Sequence, residues 1–257
     1  MDTNINPQIS IITITKNRVG FISKAIKSAQ KQGFSDWELI VLDDDSNDDT
    51  GAIIEAYKAK DSRIKYYKNS PALGISKNRN LGLSKATGKY IAVLDSDDKW
   101  IDKDKLQKQF DFLENNPDYV LIGSNIKIID EKENFIKNTN FSVEDIDIRK
   151  KILMKNQIPH SSAMYIKDFA NQIGGYNEKI PLAEDLDLLL RLGKLGKMKN
   201  LKEITTSYTQ HSQGISQQKK FSIAWNHYLI VLRNFGKYPN WFSAMFWAKL
   251  RMLKSLF

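Results

Sequence analysis

Cysteine is absent from the 257 residues, which excludes disulfides, thiolate nucleophiles and Cys-ligated zinc. That absence fits a reducing cytoplasm. Residues 1–8 are polar and carry no signal-peptide core. No apolar run approaches the ~20 residues of a membrane span. There is no internal repeat and no low-complexity linker. Acid is missing from the last part of the chain. No Asp or Glu follows Glu203, whereas Lys219, Lys220, Arg233, Lys237, Lys249, Arg251 and Lys254 do. Most of the net charge of +9 therefore belongs to that stretch. Because the positive charge is segregated from the acidic clusters, it is weak ground for nucleic-acid binding, and none is expected.

What is present suits one large α/β domain or a domain with an appendage, and an apolar share of 41% is enough for a sizeable core. β-Branched and apolar runs predict strands over 9–15, 38–42, 63–67, 90–94 and 119–129. Helical spacing predicts helices over 21–29, 53–59, 75–86 and 103–115, with Gly33, Gly88 and Pro117 as stops. Short links between alternating strands and helices argue for a doubly wound, mostly parallel sheet, whose ligands bind at the carboxyl ends of the strands. Past 129 the alternation breaks down. Helices are expected over 143–155 and 183–195, a strand over 159–168 and an extended run over 198–209. Two further helices, about 217–235 and 240–257, close the chain.

Two acidic clusters fall at strand ends: Asp43-Asp44-Asp45-Ser46 after Leu42 and Asp95-Ser96-Asp97-Asp98 after Leu94. Crowded carboxylates repel unless something positive sits among them, and a divalent cation between carboxylate and diphosphate would resolve the repulsion. Oxygen-only ligands favour Mg²⁺ or Mn²⁺ over zinc. The bland alternatives are a solvated Asp-rich turn for the second cluster and helix N-capping by Ser46 or Asn47 for the first. An Asp of the first cluster could instead accept from a base imide or from ribose hydroxyls.

A third cluster, Glu184-Asp185, opens a leucine-rich helix. At about 100° per residue, Asp185 lies inside the arc of Leu186, Leu188, Leu189 and Leu192, with Glu184, Asp187 and Arg191 on the polar side. A buried unpaired carboxylate is costly, so Asp185 should look into a pocket, as a general base would. The helix N-terminal dipole accounts for Glu184 more readily than for Asp185. The segment Gly74 to Asn80 could hold phosphate at a helix start, with Arg79 as its cation or as a plain surface residue. His211 either packs structurally or reaches a metal.

Taken together, these residues resemble the family 2 glycosyltransferases. The ordered stretches are Thr15 to Arg18, Val41 to Thr50, Gly74 to Asn80, Leu94 to Trp100, Gly174-Gly175-Tyr176 and Glu184-Asp185. The resemblance implies the GT-A fold and an inverting transfer from a nucleotide sugar, commonly a UDP-sugar. It implies a base contact for Asp44, nucleotide-cleft positions for Thr15, Arg18 and Arg79, and a DxD motif at Asp95–Asp97. Within that motif Asp95 and Ser96 would touch the nucleotide sugar, with Asp97, Asp98 and His211 on a Mn²⁺ or Mg²⁺ ion. Asp185 matches the catalytic base, and Glu184 falls on the acceptor side. Asp45 stands where the family usually has Gly or Asn.

The expected layout is a GT-A domain over 1–215, with a nucleotide-sugar half over 8–100 and an acceptor half over 101–215. A basic, aromatic helical extension occupies 216–257. Trp241, Phe242, Met245, Phe246, Trp247, Leu250, Leu253 and Phe257 there suit an anionic inner-leaflet surface. They equally suit packing on the body or on a second copy in a homodimer. The expected partners are a nucleotide sugar and a glycan or lipid-linked acceptor of bacterial surface-glycan synthesis, with the protein cytoplasmic or peripheral on the inner membrane face. A nucleotidylyltransferase would show a glycine-rich loop after the first strand, which Thr15-Lys16-Asn17-Arg18 lacks. A dehalogenase-like phosphatase would need an Asp where Thr15 stands. A catalytically dead sugar-nucleotide binder is the non-enzymatic alternative.

Overall fold

The computed structural model describes residues 6–180, 182–212 and 218–255. The start of the chain before residue 6, the expected boundary at 215/216, Gln217 and Phe257 lie outside the described residues.

Four strands lie side by side and parallel: β1 (Ile9–Thr15), β2 (Trp37–Asp43), β3 (Ile64–Lys68) and β4 (Tyr90–Val93), in the order β3-β2-β1-β4. Helices α1 (Ile22–Gln30), α2 (Thr50–Lys58) and α3 (Ile75–Lys85) make the crossovers. Side chains along a strand alternate between faces, and here both faces are covered. Ile9, Ile11, Leu39 and Val41 join one core with Ile22 and Ile26 of α1. Ile12, Ile40 and Leu42 join the other with Leu83 of α3. Continuous apolar runs, rather than alternating ones, follow from that double coverage.

The sheet continues on the far side of β4 through β8 (Met164–Ile166) and β6 (Tyr119–Asp130), each antiparallel to its predecessor. Then come β9 (Lys197–Gln210), parallel to β6, and β5 (Lys99–Trp100), antiparallel to β9. β7 (Phe135–Asn138) forms a hairpin on β6. Among the described residues nine strands thus make one mixed sheet, parallel in its first half. The remaining helices are α4 (Lys105–Asn115), α5 (Asp145–Ile152), α6 (Lys167–Gln172), α7 (Glu184–Leu192), α8 (Lys220–Arg233) and α9 (Trp241–Lys254).

The expected strand over 159–168 is corrected to a 3-10 turn at His160–Ser162, followed by β8 and α6. The cause is local. Ser162 returns both its N–H and its hydroxyl to Pro159 O, at 3.0 and 2.8 Å, and so competes with strand pairing. β5 and β7 are too short to leave a periodic signal.

Helices α8 and α9 insert Ile230, Val231, Ala244 and Ala248 into the core that also holds Leu188, Leu189 and Leu192 of α7. Tyr238 donates to Leu190 O at 2.8 Å between them. Their outer side leaves Phe242, Phe246 and Trp247 exposed. Among the described residues no helix is long and apolar enough to cross a membrane.

Candidate active site

Helix α3 opens at Gly74, whose φ of 84° suits glycine alone among common residues. Gly74 N–H and Leu73 N–H donate to Asp44 at 2.9 and 2.7 Å, and Asn69 adds a third bond at 3.1 Å. The loop before α3 is thereby tied to the end of β2. Farther along, a Cβ on Gly82 would stand 2.8 Å from Ile12 Cγ2, so the helix lies close on the sheet. This seating brings Arg79 to the strand ends. Its Nη2 is 2.9 Å from Asp95 Oδ1 and its Nε is 3.4 Å from Glu184 Oε1.

Arg79 therefore joins the end of β4 to the start of α7. Burial by itself would lower its pKa, but Asp95 and Glu184 outweigh that and raise it. Asp95 shows the converse: burial pushes its pKa up, and Arg79 together with His160 and Ser161 more than reverses it, leaving it below the ordinary value. For Glu184 burial wins, assisted by Asp185, and its pKa is raised. Asp185 is likewise raised, burial being the chief cause.

Asp97, on the same loop, meets a second set of cations. Arg18 Nε is 3.4 Å and His211 Nε2 2.9 Å from its Oδ2. The other His211 nitrogen, Nδ1, is 2.9 Å from Glu131 Oε1, so the imidazole sits between two carboxylates. The hydrogen bond to Asp97 chiefly raises its pKa. Phe21 meets the ring edge-on with centroids 5.1 Å apart.

Asp98 behaves differently. One of its oxygens accepts from Ser161 Oγ and the other from Thr209 N–H at 2.9 Å. Burial and the charges of Asp97 and Asp95 push its pKa well up. Ser161 also accepts from Asp95 N–H at 3.2 Å, and its carbonyl accepts from Trp100 Nε1 at 2.8 Å. Ser161, Thr209 and Trp100 thus shape the acidic loop. None stood out from sequence, although the polar run His160-Ser161-Ser162 inside an otherwise apolar segment was a usable signal.

A cavity of about 620 Å³ brings together Arg18, Arg79, Asp95, Asp97, Glu184, Asp185 and His211. Thr15, Asp44, Ser96 and Asp98 lie outside its lining. Thr15 and Ser96 are buried, and Asp44 is occupied by the 69–74 loop. Asp185 is half-buried, and Asn156 Nδ2 donates to its Oδ2 at 3.2 Å. Arg79 Nη1 and His160 Nδ1, both on residues that line the cavity, are buried without a partner, as is Thr15 Oγ1 at the end of β1.

Two sequence expectations need correction. Glu184 and Asp187 were placed on a solvent-facing arc, yet they are 7% and 6% exposed. Helix α7 is covered on both sides, and Arg79 and Arg191 supply the partners that make burial tolerable. Ser46 does not cap α2; its hydroxyl accepts from Asn17 N–H at 2.9 Å and pins the loop after β1.

Among the described residues no three acidic or histidine side chains form a group able to hold a metal on their own. Asp97 and His211 do provide a carboxylate and an imidazole side by side at the cavity wall. With Glu131 on the far nitrogen, His211 has the outer partner typical of a metal-ligating histidine. The set fits Mn²⁺ or Mg²⁺ if diphosphate oxygens and water complete the coordination.

The family model for glycosyl transferase family 2 matches residues 10–173. The chain is 44% identical over 94 residues to the GalNAc(5)-diNAcBac-PP-undecaprenol beta-1,3-glucosyltransferase of Campylobacter jejuni, covering 36% of this chain and 30% of that one. In structure it is similar to S. aureus TarS 1-349 in complex with UDP-GlcNAc, at a TM-score of 0.71 and 20% identity, over 89% of this chain and 67% of that one. It is also similar to the mannosyltransferase PcManGT of Pyrobaculum calidifontis in complex with GDP-Man and Mn²⁺. There the TM-score is 0.73 at 15% identity, over 97% and 70% of the two chains. Likeness at such identity establishes the GT-A fold. The chain spans 64%, 68% and 44% of the length of three further curated relatives that it matches.

Proposed function

The chain belongs to glycosyl transferase family 2, and from that premise we propose an inverting transferase that moves a sugar from a UDP-sugar to a hydroxyl of a glycan or lipid-linked acceptor in bacterial surface-glycan synthesis. One observation carries the reading: Asp185 and the Asp95–Asp97 pair line the same cavity at the carboxyl ends of the parallel strands. The likeness to TarS with UDP-GlcNAc supports a UDP-sugar, and the Campylobacter relative supports a lipid-linked acceptor.

In this reading the diphosphate lies between Arg18 and Arg79, which line the cavity together. Asp97 and His211 would hold Mn²⁺ or Mg²⁺, which would neutralise the leaving diphosphate. Asp185 takes the proton from the acceptor hydroxyl, whose oxygen attacks the anomeric carbon from the face opposite the diphosphate. The bond from the anomeric carbon to the phosphate oxygen breaks, its electron pair leaves with the nucleotide, and the centre inverts. Asn156 orients the base by its bond to Oδ2. Asp95, kept ionised by Arg79, accepts from donor hydroxyls. Glu184 acts from behind, by fixing Arg79.

The protein would work at the cytoplasmic face of a membrane. Phe235, in the turn after α8, and Phe242, Phe246, Trp247 and Leu253 of α9 are exposed beside Lys249 and Lys254, with no acid in that stretch. Aromatic and basic groups together suit an anionic lipid surface. Flotation with anionic vesicles should carry the protein, and Phe242→Ser/Phe246→Ser should release it. A concentration-dependent dimer that ignores vesicles would assign the face to a second copy instead.

The test of the function is a screen of UDP-, GDP- and dTDP-sugars for Mn²⁺-dependent nucleotide release. The expected result is release from a UDP-sugar. Tight UDP binding without cleavage of any donor, with or without acceptors, would make the protein a sugar-nucleotide binder.

A further inference from the structure

Resting on the transferase reading, we propose that the acceptor is an anionic saccharide, bearing a carboxylate or a phosphate that Lys137 and Lys155 receive at the outer end of the cavity. The cations around the donor end are paired. Arg18 meets Asp97, Arg79 meets Asp95 and Glu184, and His211 meets Asp97 and Glu131. Lys137 and Lys155 line the same cavity, and neither has a carboxylate within ion-pairing distance among the described residues. Nearby lysines that lie outside this lining, Lys24 and Lys99, both pair with Glu133.

The placement of these two cations is built rather than incidental. Lys137 is the cross-strand partner of Ile128 on β6, and both line the cavity. Directly opposed residues of an antiparallel pair share one face. The chain after β7 is fastened by Asn125, whose side chain accepts from Phe141 N–H at 2.7 Å and from Thr139 Oγ1 at 3.1 Å. Phe141 in turn supports Lys155, whose Nζ is 5.9 Å from the ring centroid. Lys155 precedes Asn156, which bonds Asp185. Ile126, Ile128 and Tyr208 give the same cavity an apolar and aromatic floor. Such a floor suits a sugar ring, with its hydroxyl at Asp185 and its charged group at the lysines.

The probes are hexuronic acid-terminated disaccharides of gluco, galacto and manno configuration. Controls are their neutral hexose counterparts and the same counterparts carrying a 6-phosphate. Transfer is measured on the full chain with the donor found by the nucleotide-release screen, and probe binding is measured by calorimetry with UDP and Mn²⁺ present. The expected result is preference for an anionic probe, with the carboxylate and phosphate arms identifying which group is received. Lys137→Gln/Lys155→Gln should raise KM for that probe about tenfold with kcat unchanged, since each exposed ion pair is worth at most about 1 kcal/mol. Neutral probes and acceptor-free nucleotide release should not change, and the preference should fall as salt rises. No anionic probe outdoing its neutral counterpart in either transfer or binding would overturn the proposal. So would a double variant that keeps the preference. Donor cleavage proceeding normally in either case would leave the transferase reading standing, and calorimetry still decides the lysines if no donor is cleaved.

Discussion

The two ends of the cavity proposed for donor and acceptor are made differently. At the donor end the charged groups are engaged: Arg79 between two carboxylates, His211 between two more, Asp98 closed off by Ser161 and Thr209. At the acceptor end Lys137 and Lys155 stand exposed on a hairpin and a loop. A locked network sets geometry before the ligand arrives and suits a donor whose diphosphate is common to many sugars. Unpaired cations at a rim select among partners at small energetic cost.

The largest test of that contrast falls on Asp185, which belongs to both ends. Asp185→Asn should lower transfer by about 10³-fold, within the usual range for a general base, while UDP binding by calorimetry stays within a factor of about three. Comparable loss of UDP binding would mean that the residue serves the donor network instead. Next comes Arg79→Met. Removing one partner from a buried network typically costs about 3 kcal/mol, because the remaining charge is left uncompensated. Asp95 and Glu184 would both be stranded, so chemical denaturation should show a loss of that size. Adding Glu184→Gln should restore part of it. A double variant no more stable than Arg79→Met would show that Glu184 gains nothing from the pair.

The same contrast explains what could be read from the sequence. The parallel half was legible because its strands are short runs rich in apolar and β-branched residues, two of which lead straight into an acidic cluster, Leu42-Asp43-Asp44 and Leu94-Asp95. The reach of α3 to both acidic groups was not, since Arg79 and Glu184 are joined only by folding. Ser161, Thr209 and Asn156 are ordinary polar residues until the 3-10 turn before β8, strand β9 and the loop after α5 place them. The wheel for α7 did direct Asp185 toward a cavity. Its error at Glu184 and Asp187 came from assuming that the opposite face meets water, whereas it meets Arg79 and Arg191.

His160 tests how closed the donor end is to protons. The residue is 7% exposed, its Nε2 is 2.9 Å from Tyr176 OH, and burial, with Arg79 next, lowers its pKa from 6.5 to about 3 against an opposing pull from Asp95. Between those values the unfolded chain binds a proton that the folded chain refuses. Stability should therefore fall as pH falls from about 6.5 toward 3, by about 1.4 kcal/mol per unit from this group. His160→Gln should remove that slope, so its stability relative to the parent should improve by about 2 kcal/mol between pH 7 and pH 5. Parallel curves for the two proteins would mean that the ring is protonated in place.

The smallest effect is expected at Gly82, where two terms oppose each other. Alanine gains about 1 kcal/mol in helix propensity. Its Cβ would also stand 2.8 Å from Ile12 Cγ2 and 3.0 Å from Leu42 Cδ1, two core side chains on adjacent strands. Overpacking of that kind costs about 1–3 kcal/mol. The Ile12 γ-methyl is attached directly to its Cβ and has little freedom to move aside. Gly82→Ala should therefore lower stability by about 1 kcal/mol, read as a lower urea midpoint at unchanged m. Relief by lifting α3 from the sheet would also carry Arg79 away from Asp95, so KM for the donor should rise while KM for the acceptor stays put. A more stable variant with unaltered donor KM would show that the sheet yields instead, and that the donor end is less rigid than its hydrogen bonds imply.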